Sequence, residues 1–126
     1  MKEIMYEDCN NNIQFVKEMF YKIGLMVKNE LMWNVSNLDS VPVNSEDYSG
    51  VGGTVNNGRQ RDYLFQQRIL NEHTVAITHK ELMKLFDDIR TIYEGVFVVV
   101  INGHQSKISI FDGDIISIQG DIEGFL

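Results

Sequence analysis

The clearest hydrophobic pattern lies near the carboxyl end of the chain. Val96 to Ile101 is an unbroken run of β-branched and aromatic residues, Ser106 to Phe111 alternates polar with apolar residues, and Ile115 to Ile118 is again mostly apolar. Asn102-Gly103 and Asp112-Gly113 separate these runs, and both dipeptides suit tight hairpin turns in which the backbone φ angle is positive. The pattern therefore predicts a three-stranded antiparallel meander.

Two segments have the periodicity of amphipathic helices. The first runs from about Ile13 to Ile23, with Gly24 at the position of a C-terminal cap. The second follows Thr78, which opens the capping-box sequence Thr-His-Lys-Glu, and its apolar stripe continues to Tyr93 before Gly95 ends it. The solvent side of this second helix is expected to carry Asp87, Asp88 and Arg90.

Strands are expected in four further segments of the first two thirds of the chain. Glu3 to Tyr6 predicts a short strand, and the alternation from Leu31 to Val35 predicts a half-buried strand with Trp33 in the core. Arg61 to Leu70 fits both periods, and its alternating aromatic residues favour a strand. A last short strand is expected at Thr74 to Ile77.

The polar cluster from Asp8 to Asn12 is suited to cap the first helix. Residues 37–60 lose all periodicity and are rich in Asp, Ser, Asn and Gly, which predicts a long polar loop of the kind that serves as a binding loop, a lid or a disordered insertion. Asn57-Gly58 is also a turn signal for a hairpin within this segment. The expected fold is α+β, a single domain over residues 1–126, in which two amphipathic helices pack on a mostly antiparallel sheet that ends in the meander.

Charge and composition limit the function classes. Eighteen acidic and eleven basic residues give a formal net charge of −7, which argues against nucleic-acid binding and suits either a basic partner or solubility alone. The sequence has no run of apolar residues long enough for a membrane span and no signal peptide, so we expect a cytoplasmic protein without membrane contact. The single cysteine, Cys9, agrees with a reducing compartment.

Residues with the spacing of a catalytic or metal site are not recognisable in the sequence. His73, His79 and His104 are not spaced from one another or from Cys9 as metal ligands would be. We therefore assign no catalytic residue, no metal ligand and no cofactor, and we expect a protein that is not an enzyme.

A glycine-rich segment supports an alternative function. Gly52 and Gly53 lie in the sequence Gly-Val-Gly-Gly-Thr, and Arg59 and Arg61 follow it, which is a composition that binds phosphate through backbone amides and guanidinium groups. The segment lacks the Gly-Lys-Ser/Thr ending of a phosphate-binding P-loop, and a mobile connection has the same composition. The alternative function is thus a small-ligand or nucleotide-binding domain, of the kind that a phage can encode, which uses the loop from Gly50 to Arg61.

Carboxylates in two regions are candidates for partner binding. One group lies in the predicted loop, and the other lies at the end of the chain, where turn formation alone also explains aspartate beside glycine. An acidic contact surface would attract a cationic protein. The candidate partner-binding residues are Asp39, Glu46, Asp47, Tyr48, Asp112, Asp114, Asp121 and Glu123.

Three features together resemble small bacterial immunity proteins of polymorphic or contact-dependent toxin systems. They are Trp33 on a strand after the first helix, the capped sequence Thr78 to Leu82, and the run Glu94 to Phe97. The resemblance implies a cytosolic α+β inhibitor that neutralises a cognate toxin, expected to be basic, by covering its active site or an adjacent surface. A third interpretation is an assembly subunit that forms a homodimer by pairing of the Val96 to Ile101 strand at a sheet edge.

Overall fold

The computed structural model describes residues 1–43 and 61–125, which form one antiparallel sheet with three α-helices and a short 3₁₀-helix. The strands are β1 (Lys2–Met5), β2 (Met32–Pro42), β3 (Val75–Thr78), β4 (Ile89–Ile101), β5 (His104–Phe111) and β6 (Ile115–Gln119). The helices are α1 (Ile13–Met26), α2 (Arg61–Glu72) and α3 (His79–Phe86), and the 3₁₀-helix is Asp121–Phe125. The predicted α+β class and antiparallel sheet are confirmed.

The sheet has six strands in the order β1-β6-β5-β4-β2-β3, and each neighbouring pair is antiparallel. The long strands β2 and β4 lie side by side, and β1 and β3 are the two edges. The meander from β4 to β6 is confirmed, and both predicted turns have positive φ angles, 52° at Asn102 and 56° at Asp112. These local turn signals fix the register of the three C-terminal strands.

One face of the sheet is covered by the helices and contains the core. An aromatic cluster joins the layers, because the Phe20 ring of α1 lies within 5.2 Å, centroid to centroid, of the rings of Trp33, Phe86 and Phe97. Trp33 is fully buried, as predicted. Gly95 lies under the ring of Phe97, where a Cβ atom would come within 2.6 Å of it, so this glycine makes room for an aromatic side chain rather than ending a helix.

The segment that begins at Arg61 was predicted as a strand, and this prediction is wrong. Residues 61–72 form α2, which buries Phe65 and Ile69 four positions apart and carries an ion pair between Arg68 and Glu72 with the same spacing. The residues between Arg61 and Glu72 include neither glycine nor proline, and contact of the Phe65 face with β2 and α3 stabilises the helix over the strand. The sheet is therefore packed by three helices, not two.

The predicted extent of the second amphipathic helix is also wrong. α3 ends at Phe86, and the expected continuation to Tyr93 is instead the first part of β4. Ile89, Thr91 and Ile92 are β-branched, and β4 gains a hydrogen-bonded partner by pairing with the end of β2. Asp88, expected on the wet side of a helix, is buried.

Three boundary predictions near α1 and β2 also need correction. β2 extends to Pro42, so residues 37–42 of the predicted loop are strand, with irregular register where the strand bends along β4. α1 continues past Gly24 to Met26.

Asn12 is the N-cap residue but its side chain makes no capping bond. Instead Nδ2 donates to Ile92 O (2.8 Å) and Gly113 O (2.9 Å), and Oδ1 accepts from Ile92 N (2.9 Å).

Candidate functional site

The sheet face opposite the helices is uncovered in the part of the chain that the structure describes, and we call it the open face. Its side chains come from alternate positions of the strands, because residues on either side of each buried position point away from the core. Several of them are large and apolar. Val100 is 58% exposed and Met32 is 50% exposed at the end of the face near the Asn102 turn.

A second apolar group lies at the opposite end of the open face and is continuous across three strands. Phe111 pairs with Ile115, and Ile115 pairs with Met5, so the three side chains lie side by side on β5, β6 and β1. Phe111 is 55% exposed and Met5 is 68% exposed. We call this group the Phe111 strip. A contiguous exposed apolar strip, unlike scattered apolar residues, is typical of an interaction surface.

A pair of carboxylates lies beside the Phe111 strip. Asp39 of β2 is directly opposite Glu94 of β4, and Gly95 pairs with Ile110, so one further step along that ladder brings Glu94 alongside Phe111. Among residues 1–43 and 61–125, Asp39 and Glu94 form no ion pair with lysine or arginine, and Glu94 accepts only a 3.4 Å bond from Asn37 Nδ2. Like charges directly opposite one another are an unfavourable cross-strand pair in a sheet.

The carboxylates predicted near the chain end do not form one cluster. Asp112 and Asp114 lie in the turn beside the Phe111 strip, whereas Asp121 and Glu123 lie beyond the other end of β6. β6 has five residues at about 3.3 Å each, so the two groups are about 16 Å apart. Asp121 contacts His104 (Oδ2 to Nδ1, 2.9 Å), and Glu123 pairs with the amino group of Met1 (3.0 Å). The structure thus brings Asp39 and the Asp112 turn to the same end of the sheet.

The other predicted site residues lie mostly outside the described residues. Among them only Arg61, at the start of α2, is described, and its guanidinium donates to both oxygens of the buried Asp88 carboxylate, at 2.7 and 3.2 Å. A phosphate at this guanidinium would compete with a bidentate ion pair. The predicted residues outside the described ranges are Glu46, Asp47, Tyr48, Gly52, Gly53 and Arg59.

His79 is the histidine with the most specific surroundings. Its Nδ1 accepts a hydrogen bond from Trp33 Nε1–H (3.0 Å), and burial lowers the pKa of His79 below its ordinary value, an effect that the charge of Glu30 opposes. In the described ranges, no group of three or more His, Cys, Asp or Glu side chains is arranged to hold a metal ion. No helix of this part of the chain is long and apolar enough to cross a membrane.

Comparisons of the chain with protein-family models, with curated proteins and with solved structures found no match. The assignment of the open face therefore depends on its geometry and charge alone.

Sequence reasoning missed Glu94 and the three residues of the Phe111 strip, Phe111, Ile115 and Met5. A signal for Phe111 was present, because Gln105, Lys107 and Ser109 mark the polar positions of β5 and Phe111 is an apolar residue at the next position of that series. Glu94 carried no such signal. Its place opposite Asp39 depends on the irregular pairing of β2 with β4, and that register cannot be read from either segment alone.

Proposed function

We propose that this chain is a non-enzymatic protein-binding inhibitor of the immunity type, which neutralises a basic protein toxin by covering part of its surface. The proposal is supported by one juxtaposition on the open face. Phe111 on β5 is exposed and lies one ladder step beyond the Gly95–Ile110 pair, on the strand next to Glu94 of β4, and Glu94 is opposite Asp39 of β2. The two carboxylates have no cationic partner in the described part of the chain. Aromatic side chains are enriched in protein interfaces, and carboxylates that lack a cation in the free protein favour a partner of opposite charge.

The charge of the open face favours a cationic partner. Its strand residues include the carboxylates of Glu3, Asp39 and Glu94 and the ammonium group of Lys107. An arginine or lysine placed between Asp39 and Glu94 would relieve their repulsion, so binding would gain energy that the free protein lacks. The net charge of −7 would also accelerate encounter with a basic protein at low ionic strength.

The proposal includes a cytoplasmic location, where such an inhibitor protects the cell that makes it. In that compartment the single thiol, Cys9, would stay reduced.

Co-expression with the protein encoded next to this chain tests the function. We expect the neighbouring product to contain a basic domain that is toxic alone, to lose its toxicity when this chain is co-expressed, and to co-purify with it as a stoichiometric complex. In a parallel experiment the toxin is co-expressed with the Phe111→Ala variant of this chain. This variant keeps the net charge, and we expect it to protect poorly. If the neighbouring product is not toxic, or if its toxicity is unchanged by this chain, the proposal is wrong.

A further inference from the structure

Trp33 and His79 form a hydrogen bond that requires His79 to be neutral. The Trp33 side chain is fully buried between the sheet and the helices, and its Nε1–H donates to His79 Nδ1 at 3.0 Å. An indole nitrogen is only a donor, so Nδ1 must be the unprotonated nitrogen of a neutral imidazole, whose proton is on Nε2. The hydrogen bond exists only while His79 is uncharged.

His79 lies where three elements meet. It is the first residue of α3, and its backbone N–H donates to Leu31 O (2.8 Å) just before β2. Its ring also lies against Gly24 of α1, so closely that a Cβ atom there would come within 2.6 Å of Nε2. A positive charge on this ring would be opposed by the N-terminal end of the α3 dipole as well as by burial.

The charged groups that face His79 come from the connection between α1 and β2. Lys28 and Glu30 line a cavity of about 230 Å³ beside the ring, together with Gly24 and Leu31. Glu30 Oε1 also accepts from the backbone N–H of Lys80 (3.1 Å), the charged neighbour on α3. Burial lowers the pKa of His79, the charge of Glu30 opposes this effect, and Lys28 lines the same cavity.

We propose that the His79–Trp33 hydrogen bond is a pH-sensitive latch between α3 and β2, which is closed when His79 is neutral and released when it is protonated. Protonation places an N–H on Nδ1 directly opposite the indole N–H, so the two donors repel and the buried indole loses its acceptor. Met32 and Asn34 flank Trp33 and lie on the open face. Release of the latch therefore alters the β2 part of that face.

Nuclear magnetic resonance of the free protein tests the latch, because Trp33 is the only tryptophan of the chain. The indole N–H and the His79 ring nitrogens are followed from about pH 8 to about pH 5. We expect a neutral His79 with its proton on Nε2 at the upper limit. Its titration midpoint should lie below that of an ordinary histidine, with a shift of the Trp33 indole and of the Met32 and Asn34 amides at the same midpoint.

Two variants and a control complete the test. In His79→Gln the indole keeps an acceptor that cannot titrate, so its pH-dependent shift should disappear, whereas the exposed-site control His104→Gln should retain it. Gly24→Ala should displace the ring and give an acid-like indole shift already at neutral pH. An indole shift that ignores His79 titration in the wild-type protein, or that persists in His79→Gln, overturns the latch. Neither result bears on the proposed binding function.

Discussion

The two faces of the sheet contribute differently to the stability of the fold. Between the covered face and its helices, the rings of Phe20, Phe86 and Phe97 contact one another at centroid distances of 5.0 to 6.0 Å. On the open face Phe111 is 55% exposed, and Asp39 is directly opposite the like-charged Glu94. Burial in the core accounts for the apolar residues of the covered face. It does not account for the exposed Phe111 strip or for the carboxylates next to it.

The largest expected effect comes from truncating a ring on the covered face. Phe97→Ala should lower the free energy of unfolding by about 3–5 kcal/mol, because the fully buried ring leaves a cavity among Phe20 and Phe86. Urea unfolding followed by circular dichroism measures the loss. A loss below about 1 kcal/mol would show that the covered face is not the stabilising core.

A substitution at Asn12 tests whether the loss of a buried hydrogen-bonding side chain lowers the free energy of unfolding almost as much as the loss of the Phe97 ring. Asn12→Ala should cost about 2–3 kcal/mol, since it leaves the Ile92 N–H and the carbonyls of Ile92 and Gly113 without their partner. The adjacent, exposed Asn11 provides the matched control, and Asn11→Ala should change stability by less than about 0.5 kcal/mol. Equal effects of the two substitutions would contradict the role of Asn12.

Acidification tests the covered face through His79. Because burial lowers the pKa of His79 in the folded protein, the unfolded chain binds a proton more readily once the pH falls to about 6.5. Stability contributed by the neutral ring is complete above that pH and is lost as the pH falls toward the lower pKa of the folded state. Unfolding midpoints measured against pH should therefore fall more steeply for the wild-type protein than for His79→Gln. Parallel curves would be the contrary result.

The smallest effect on stability is expected on the open face. Phe111→Ala should change the free energy of unfolding by less than about 1 kcal/mol, because the ring is more than half exposed in the folded protein. The same chemical change at Phe97 is the comparison, and the two are measured under the same conditions. A loss at Phe111 as large as that at Phe97 would mean that the strip is part of the core.

Sequence patterns predicted the elements whose signals are local. The turns at Asn102 and Asp112, the Thr78 cap with its bond from Glu81 N (3.2 Å), and the buried stripe of α1 each depend on a few neighbouring residues. The errors lie where long-range contacts decide. Residues 89–93 continue the helical stripe of α3, but pairing with β2 makes them strand, and packing of Phe65 and Ile69 makes α2 a helix.

The candidate site was predictable only in part for the same reason. Asp39 and the Asp112 turn were expected as partner-binding carboxylates, but their common location at one end of the sheet follows from the strand order β5-β4-β2. Glu94 joins them through an irregular register. Asp121, which looked equivalent to Asp112 in the sequence, lies about 16 Å away and contacts His104.

The most direct test of the open face as the binding surface compares two charge reversals of equal size. One double variant combines Asp39→Lys with Glu94→Lys, and the other combines Asp121→Lys with Glu123→Lys. Each substitution changes the charge by +2, so each double variant has a net charge of −3 instead of −7. Affinity for the basic domain encoded next to this chain is measured by calorimetry for both double variants, after circular dichroism has shown that they are folded. The first pair should weaken binding by at least about 30-fold, roughly 2 kcal/mol, and the second by less than about threefold. Equal weakening by both pairs, or no weakening by the first, would contradict a binding site on the open face.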